Sequence, residues 1–271
     1  MGKARRHLLD TLSVRAAVAA KAANWTVAAS PYPEFAFAPV KPKPRAFKPK
    51  GRRLPRTAVA LNAAPPQPSV DWRHGHTLTP PLDQGAHNTC TAFAVTGIMG
   101  DLHEIGQPGT RLQLSAGHLH ACIAGLAPDT PLDPTVALAA LRQARVAALS
   151  AGDYPFNPAN CAAAQGALGV QGSEPILNPD DAKDALGSGP ILVVMSLYDD
   201  FWRFYQGGVY KHATGAYLGS HSIAVVGYDD PAGCWIVRNS RGSAWGENGF
   251  GRIAYGECDI FGMNGGYRVV L

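Results

Sequence analysis

Three widely spaced residues in this chain have the right types for acyl-transfer chemistry. Cys90 lies in "DQGAHNTCTAFAV" (83–95), where a polar loop runs into an apolar segment with helical spacing. A thiol at a helix N-terminus meets unpaired N–H groups and the positive end of the helix dipole, and both favour a thiolate. The competing reading is a packing thiol, because free cysteine behaves as a small buried hydrophobe. A cysteine nucleophile also needs a base, a group that orients the base, and donors for an oxyanion. His221 opens the strand-like run "HSIAVVGY" and is the candidate base, placed at a sheet edge. Asn239 ends the next such run, "CWIVRNS". If the two strands are neighbours, its amide oxygen can accept from the imidazole N–H.

The other histidines weaken any argument from His221 alone, since the chain holds nine. His74, His76, His103, His118 and His120 read as surface or packing residues. The "HLH" at 118–120 lacks a third ligand, and neither C-x-x-C nor H-E-x-x-H occurs, so neither a metal nor a cofactor is expected.

The elements that must position these residues differ along the chain. Residues 90–150 carry helical spacing in "CTAFAVTGIMGDLHEIG", "LSAGHLHACIAG" and the Ala-rich "TVALAALRQARVAAL". Residues 190–271 are rich in short β-branched or aromatic runs bounded by Gly, Asp and Pro, such as "PILVVMSL" and "GFGRIAYG". Helices first and strands later predict an α+β protein, a helical lobe facing a sheet lobe. With 271 residues, 46% of them hydrophobic, the chain can bury one large core or two lobes sharing a cleft. No apolar run is long enough to span a bilayer.

The N-terminal quarter has a separate character. Residues 1–66 hold 13 Lys or Arg against Asp10 and Glu34, a charge of +11, so the remaining chain carries −7 of the net +4. Asp10, Arg15 and Lys21 interrupt any signal-peptide core, and residues 1–24 can instead form a basic amphipathic helix of the organelle-targeting kind. Residues 31–56, "PYPEFAFAPVKPKPRAFKPKGRRLPR", favour extended backbone and form a linker or a strap along a groove. A basic arm of this kind can also contact nucleic acid or an anionic membrane, the less favoured reading.

From about residue 68 to its end the chain resembles the papain-like cysteine proteases. "SVDWRHGHTLTPPLDQGAHNTCTAF" is similar to the family's mature start through the nucleophile. "LSAGHLHAC", "YPF", "FWRFYQGGVY", "HSIAVVGYDD", "CWIVRNSRGSAWGENGFGRI" and "YGECDI" then follow in family order. His221 and Asn239 come 131 and 149 residues after Cys90, inside the span expected of this family. The resemblance implies a two-lobe fold, with a helical N-terminal lobe packed against an antiparallel sheet or barrel lobe and a cleft between them. It implies Cys90 as nucleophile, His221 as general base and acid, and Asn239 as the orienting residue. The Gln84 side chain and the Cys90 N–H would form the oxyanion hole. Residues 1–66 would be a pro-region or inhibitory strap, with Phe35 and Phe37 in the cleft, and 67–271 the catalytic domain.

The same resemblance pairs Cys122 with Cys161 in a disulfide and leaves a Cys234–Cys258 pairing open. Disulfides favour an oxidising or secretory compartment, in tension with the interrupted N-terminal signal. Departures from the family pattern are His87 in place of a cysteine three residues before the nucleophile, Thr91 for Trp, and Pro131-Leu132 where a Gly-Gly edge pairs with substrate. Arg241 replaces the Trp that shields the Asn–His hydrogen bond, which predicts a bond more open to water. The activity implied is peptide-bond hydrolysis through a thioester, on protein or peptide substrates, latent until the N-terminal segment is displaced or cleaved. The alternatives are a Cys–His acyl-transfer or deamidating effector of the same fold, or a non-catalytic binding module.

Overall fold

A computed structural model describes residues 9–28, 67–75, 78–150, 154, 157–262 and 265–271. Near the N-terminus, helix α1 (Thr11–Ala20) is capped by Asp10, whose carboxylate accepts from Ser13 N while Ser13 Oγ accepts from Asp10 N. Strands β1 (Trp25–Val27) and β2 (Ser69–Asp71) follow. The helical lobe holds α2 (Cys90–Gly106), the single turn α3 (Ala116–His118) running into a π-helical turn (Leu119–Ile123), and α4 (Pro134–Leu141). A small hairpin, β3 (Val146–Ala147) with β4 (Gly166–Leu168), closes it.

The sheet lobe contains β5 (Gly172–Ile176), α5 (Pro179–Leu186), β6 (Ile191–Tyr198), α6 (Asp199–Phe204) and β7 (Tyr205–Tyr210). It is completed by β8 (Tyr217–Asp229), β9 (Cys234–Arg238), β10 (Phe250–Ala254) and β11 (Gly266–Val270). The strand order is β1-β7-β10-β9-β8-β6-β11-β5, with β2 beside β8. The β7–β10 pair is parallel and the rest antiparallel, so the sheet is mixed rather than wholly antiparallel.

Strand alternation divides the interior between two cores. Ile191, Val193, Met195, Ile223, Val225 and Val237 join the sheet-lobe core with Phe201, Trp202 and Trp245. Their neighbours Leu192, Ala224, Val226 and Ile236 face the other way and pack with Ala92, Val95, Ile98 and Met99 of α2. Both faces of β6 and β8 are therefore covered, which is why these strands read as nearly continuous apolar runs. The α+β, two-lobe expectation holds.

Two local expectations fail. The Ala-rich helix expected through residue 149 ends at Leu141, because Val146 and Ala147 are buried in a strand pair and Ala147 O accepts from Ser115 N. His221 does not open an edge strand. It is the fifth residue of β8, paired with Met195 of β6, and β9 begins to pair with β8 only at Ala224.

The Cys122–Cys161 disulfide is present, with Cα atoms 5.4 Å apart. Cys234 and Cys258 are both free and buried. Cys234 begins β9, whereas Cys258 O accepts from Ser196 N on β6, with β8 lying between.

The N-terminal segment docks on the sheet lobe. Val14, Val18 and Trp25 are part of its core. The Trp25 ring lies 5.2 Å from Tyr210 and 6.2 Å from Tyr205, and its Nε1 donates to Lys211 O at 3.0 Å. Strand β1 can approach β7 because Gly208 is at φ +89°, and a Cβ there would stand 2.3 Å from Asn24 O. Of residues 1–24, Thr11–Ala20 are helical, while Lys3, Arg5 and Arg6 lie outside the described residues. The strap expected at 31–56, with Phe35 and Phe37, lies outside the described residues.

Candidate active site

Helix α2 and strand β8 meet at the lobe interface, and that contact brings Cys90 to His221. Cys90 is the first residue of α2 and is half-buried. Thr91 Oγ1 and Ser222 Oγ lie 2.8 Å apart, tying the residue after the nucleophile candidate to the residue after the base candidate. His221 Nε2 donates to Asn239 Oδ1 at 2.9 Å, which leaves Nδ1 as the ring nitrogen for the sulfur. Asn239 Oδ1 also accepts from Ser240 N at 2.9 Å, so the amide cannot rotate away without losing both bonds.

Burial pushes the Cys90 thiol up, but the hydrogen bond and charge of His221 outweigh it. The backbone N–H groups of Ser222 and Thr91 add to the effect, and the thiol is held below its ordinary range. Burial without such a partner has the opposite result at Cys234, pushed up to about 11, and at Cys258, also raised. Of the three free thiols, Cys90 alone is poised to ionise.

Gln84 is buried beside this pair. Its Nε2 donates to His87 O at 2.7 Å, and its Oε1 accepts from Ser240 Oγ. A primary amide nitrogen carries two hydrogens, so one N–H remains for an oxyanion. Gln84 N donates to Ser240 O at 3.0 Å, and Tyr154 O–H donates to Gln84 O at 2.7 Å. Tyr154 also meets Thr89 Oγ1 at 2.7 Å. Burial pushes the Tyr154 phenol up to about 12, so it stays a donor across the working pH range. In the sequence Tyr154 figures only within the "YPF" segment, and no local pattern joins it to Gln84.

A buried ion pair braces the two elements that carry Cys90 and Asn239. Arg238 Nη2 lies 2.8 Å from Asp101 Oδ2, while Asp101 Oδ1 accepts from Thr79 N and Thr79 Oγ1. Gly97 makes room for the guanidinium: a Cβ there would stand 2.5 Å from Arg238 Nη2. Next to Cys90, the loop is held without the family's cysteine. His87 Nδ1 pairs with Asp129 Oδ1 at 3.2 Å, and Asn88 Nδ2 donates to Asp129 O at 2.8 Å. Leu132 is buried in the helical-lobe core, and Pro131 before it has no N–H to offer an extended peptide.

The shield over the His–Asn bond is rebuilt rather than lost. The expectation of a more open bond is wrong, because His221 and Asn239 are only 3% and 2% exposed. Arg241 is itself fully buried and places its guanidinium 4.3 Å from the Trp202 ring centroid. Trp202 in turn meets His221 with centroids 5.3 Å apart and planes at 77°. Trp245 packs instead on Phe201 and Tyr205, and its Nε1 donates to Trp202 O.

All four sequence candidates, Cys90, His221, Asn239 and Gln84, thus meet at one place. The array can generate a thiolate, hold an imidazole in one tautomer and offer amide donors to a developing oxyanion. A family model described as papain family cysteine protease matches residues 66–266. Cathepsin B-like CP1 of Giardia intestinalis is 31% identical over 229 residues, 75% of this chain and 74% of that protein. In fold, the chain is similar to procathepsin B S9 from Trypanosoma congolense, with a TM-score of 0.77 and 22% identity over 97% of this chain and 98% of that one. It is also similar to procathepsin L 3 of the Tenebrio molitor larval midgut, with a TM-score of 0.74 and 23% identity over 96% and 88%.

Proposed function

The chain belongs to the papain family of cysteine proteases, and on that premise we propose that Cys90, His221, Asn239 and Gln84 carry its endopeptidase chemistry. The observation that supports this most is the 2.9 Å His221–Asn239 bond, with the other face of the imidazole turned to a thiol held below its ordinary range. The Cys90 thiolate attacks the scissile carbonyl carbon. Gln84 Nε2–H and the Cys90 N–H receive the oxyanion. As the C–N bond breaks, His221 gives its proton to the leaving amine and a thioester forms. Water, deprotonated by His221, then hydrolyses the thioester and returns free Cys90. Asn239 holds the imidazole in the required tautomer through both steps.

Residues 1–66 act as the pro-region and 67–271 as the catalytic domain. The pairing of β1 with β7 and the packing of α1 into the sheet-lobe core support this reading, as does the near full-length likeness to two procathepsin structures. Protein or peptide substrate and the chain's own N-terminal segment compete for the cleft. Cleavage within 50–56, "KGRRLPR", would remove the covalent tether and lower the segment's effective concentration. Intact and cleaved protein are compared on one fluorogenic peptide. A rise in kcat/KM on cleavage supports latency, and equal rates leave residues 1–66 without that role.

A further inference from the structure

Arg241 stands where it can govern the charge state of the catalytic pair without touching substrate. Its guanidinium covers one face of Trp202, its Nη1 approaches Gly85 O at 3.5 Å, and its backbone bridges Asp83. Trp202 contacts both that cation and the His221 ring. The two centroid distances place the guanidinium within about 10 Å of the imidazole, in a region with almost no solvent access. A unit charge at that range in a water-poor setting shifts the ionisation of both members of a thiolate–imidazolium pair.

Resting on the assignment of Cys90 and His221 above, we propose that Arg241 is a positioning residue that acts through Trp202. It fixes His221 against Asn239 and sets the pH window of the Cys90–His221 pair toward lower pH. An added positive charge favours the thiolate and disfavours the imidazolium, so both limbs of the activity profile move down together.

The surrounding charges do not obscure the effect. From α2, Cys90 faces His221, and the Asp101 carboxylate farther along the helix is paired with Arg238 at 2.8 Å. Near Trp202, Asp199 is paired with Arg203 at 2.7 Å, and Asp200 is held by Tyr210 O–H, by the N–H groups of Ala213 and Thr214, and by His212, whose Nδ1 lies 3.1 Å away. Glu247 is paired with Arg252 at 2.8 Å. Asp83, bridged to Arg241 through the backbone, is exposed and accepts from Gly85 N. These groups are present in every Arg241 variant, so replacing Arg241 subtracts one positive charge whatever its other contacts.

The test compares wild type with Arg241→Lys, Arg241→Gln and Arg241→Met, each checked for a cooperative unfolding transition. Two profiles are recorded against pH: iodoacetamide alkylation of Cys90, resolved by peptide mass, and kcat/KM of protein cleaved within 50–56. In the Gln and Met variants both limbs should move up by about one pH unit, and in the Lys variant they should stay near wild type. A merely structural residue would lower the height of the profile and leave its limbs in place. Unmoved limbs in folded Gln and Met variants, beside a normal wild-type profile, overturn this inference alone. A wild-type Cys90 that ionises like an ordinary thiol would remove the underlying Cys–His assignment as well.

Discussion

Arg238 and Asp101 form a buried ion pair, Nη2 to Oδ2 at 2.8 Å, that bridges the two lobes behind the active site. Arg238 immediately precedes Asn239, and Asp101 lies eleven residues after Cys90 on α2. Breaking one partner leaves the other charge buried and uncompensated, which costs about 3–5 kcal/mol. Arg238→Met should therefore lower the denaturation midpoint steeply, and the double variant with Asp101→Leu should recover much of the loss. A single variant with wild-type stability would show that the pair does not brace the lobes.

Gly97 belongs to the same brace. Gly97→Ala puts a methyl group 2.5 Å from the Arg238 guanidinium, which its buried pair with Asp101 holds in place. Overpacking of this kind costs about 1–3 kcal/mol. The unfolding midpoint of the variant reads this directly, and an unchanged midpoint contradicts it.

Ionisation of Cys90 should occur at a lower pH than for an ordinary thiol, because His221 offsets the effect of burial. Its alkylation rate should therefore rise with pH earlier than that of a free cysteine peptide. In His221→Ala the burial remains and the offset is gone, so the midpoint moves up. A midpoint that is the same in both proteins would mean that His221 does not reach the sulfur.

Tyr154 and Gln84 test the oxyanion side. Gln84→Ala removes one donor and should lower kcat by about 10²–10³-fold with little change in KM. Tyr154→Phe leaves the donor in place and removes the hydrogen bond to Gln84 O, so its loss should be smaller and in the same parameter. A larger loss in Tyr154→Phe than in Gln84→Ala would reverse the assignment.

Trp25 anchors the N-terminal segment between Tyr205 and Tyr210. Trp25→Ala loses a buried aromatic contact of about 3–5 kcal/mol. The intact variant should then hydrolyse a small peptide faster than intact wild type. Equal rates would separate docking of α1 and β1 from latency.

How much of this was legible in the sequence depends on whether a signal is local. Cys90, His221, Asn239 and Gln84 stand in short segments whose order and spacing carry the family pattern, so the candidate site could be proposed without coordinates. The two-lobe division was visible in the change from helical to strand-rich texture. Partners that meet only through packing were not visible. Trp202 reaches His221 from α6, Tyr154 reaches Gln84 from 70 residues away, and Asp101 meets Arg238 across the lobe interface. The shield over His221 was misread for the same reason. A Trp-to-Arg change looks like loss of cover until Trp202 is seen beneath the guanidinium. Helix α4 was overextended because alanine favours helix, while burial of Val146 and Ala147 in a strand pair overrides that preference.

The central claim is that Cys90 forms the acyl bond with substrate. Protein cleaved within 50–56 is mixed with a peptide ester, quenched in acid within the first turnover, and digested for peptide mass analysis. The account predicts an acyl mass increment on the peptide containing Cys90, absent in Cys90→Ala, which should be folded and without hydrolytic activity. An increment on any other residue, or turnover that survives in Cys90→Ala, would contradict it.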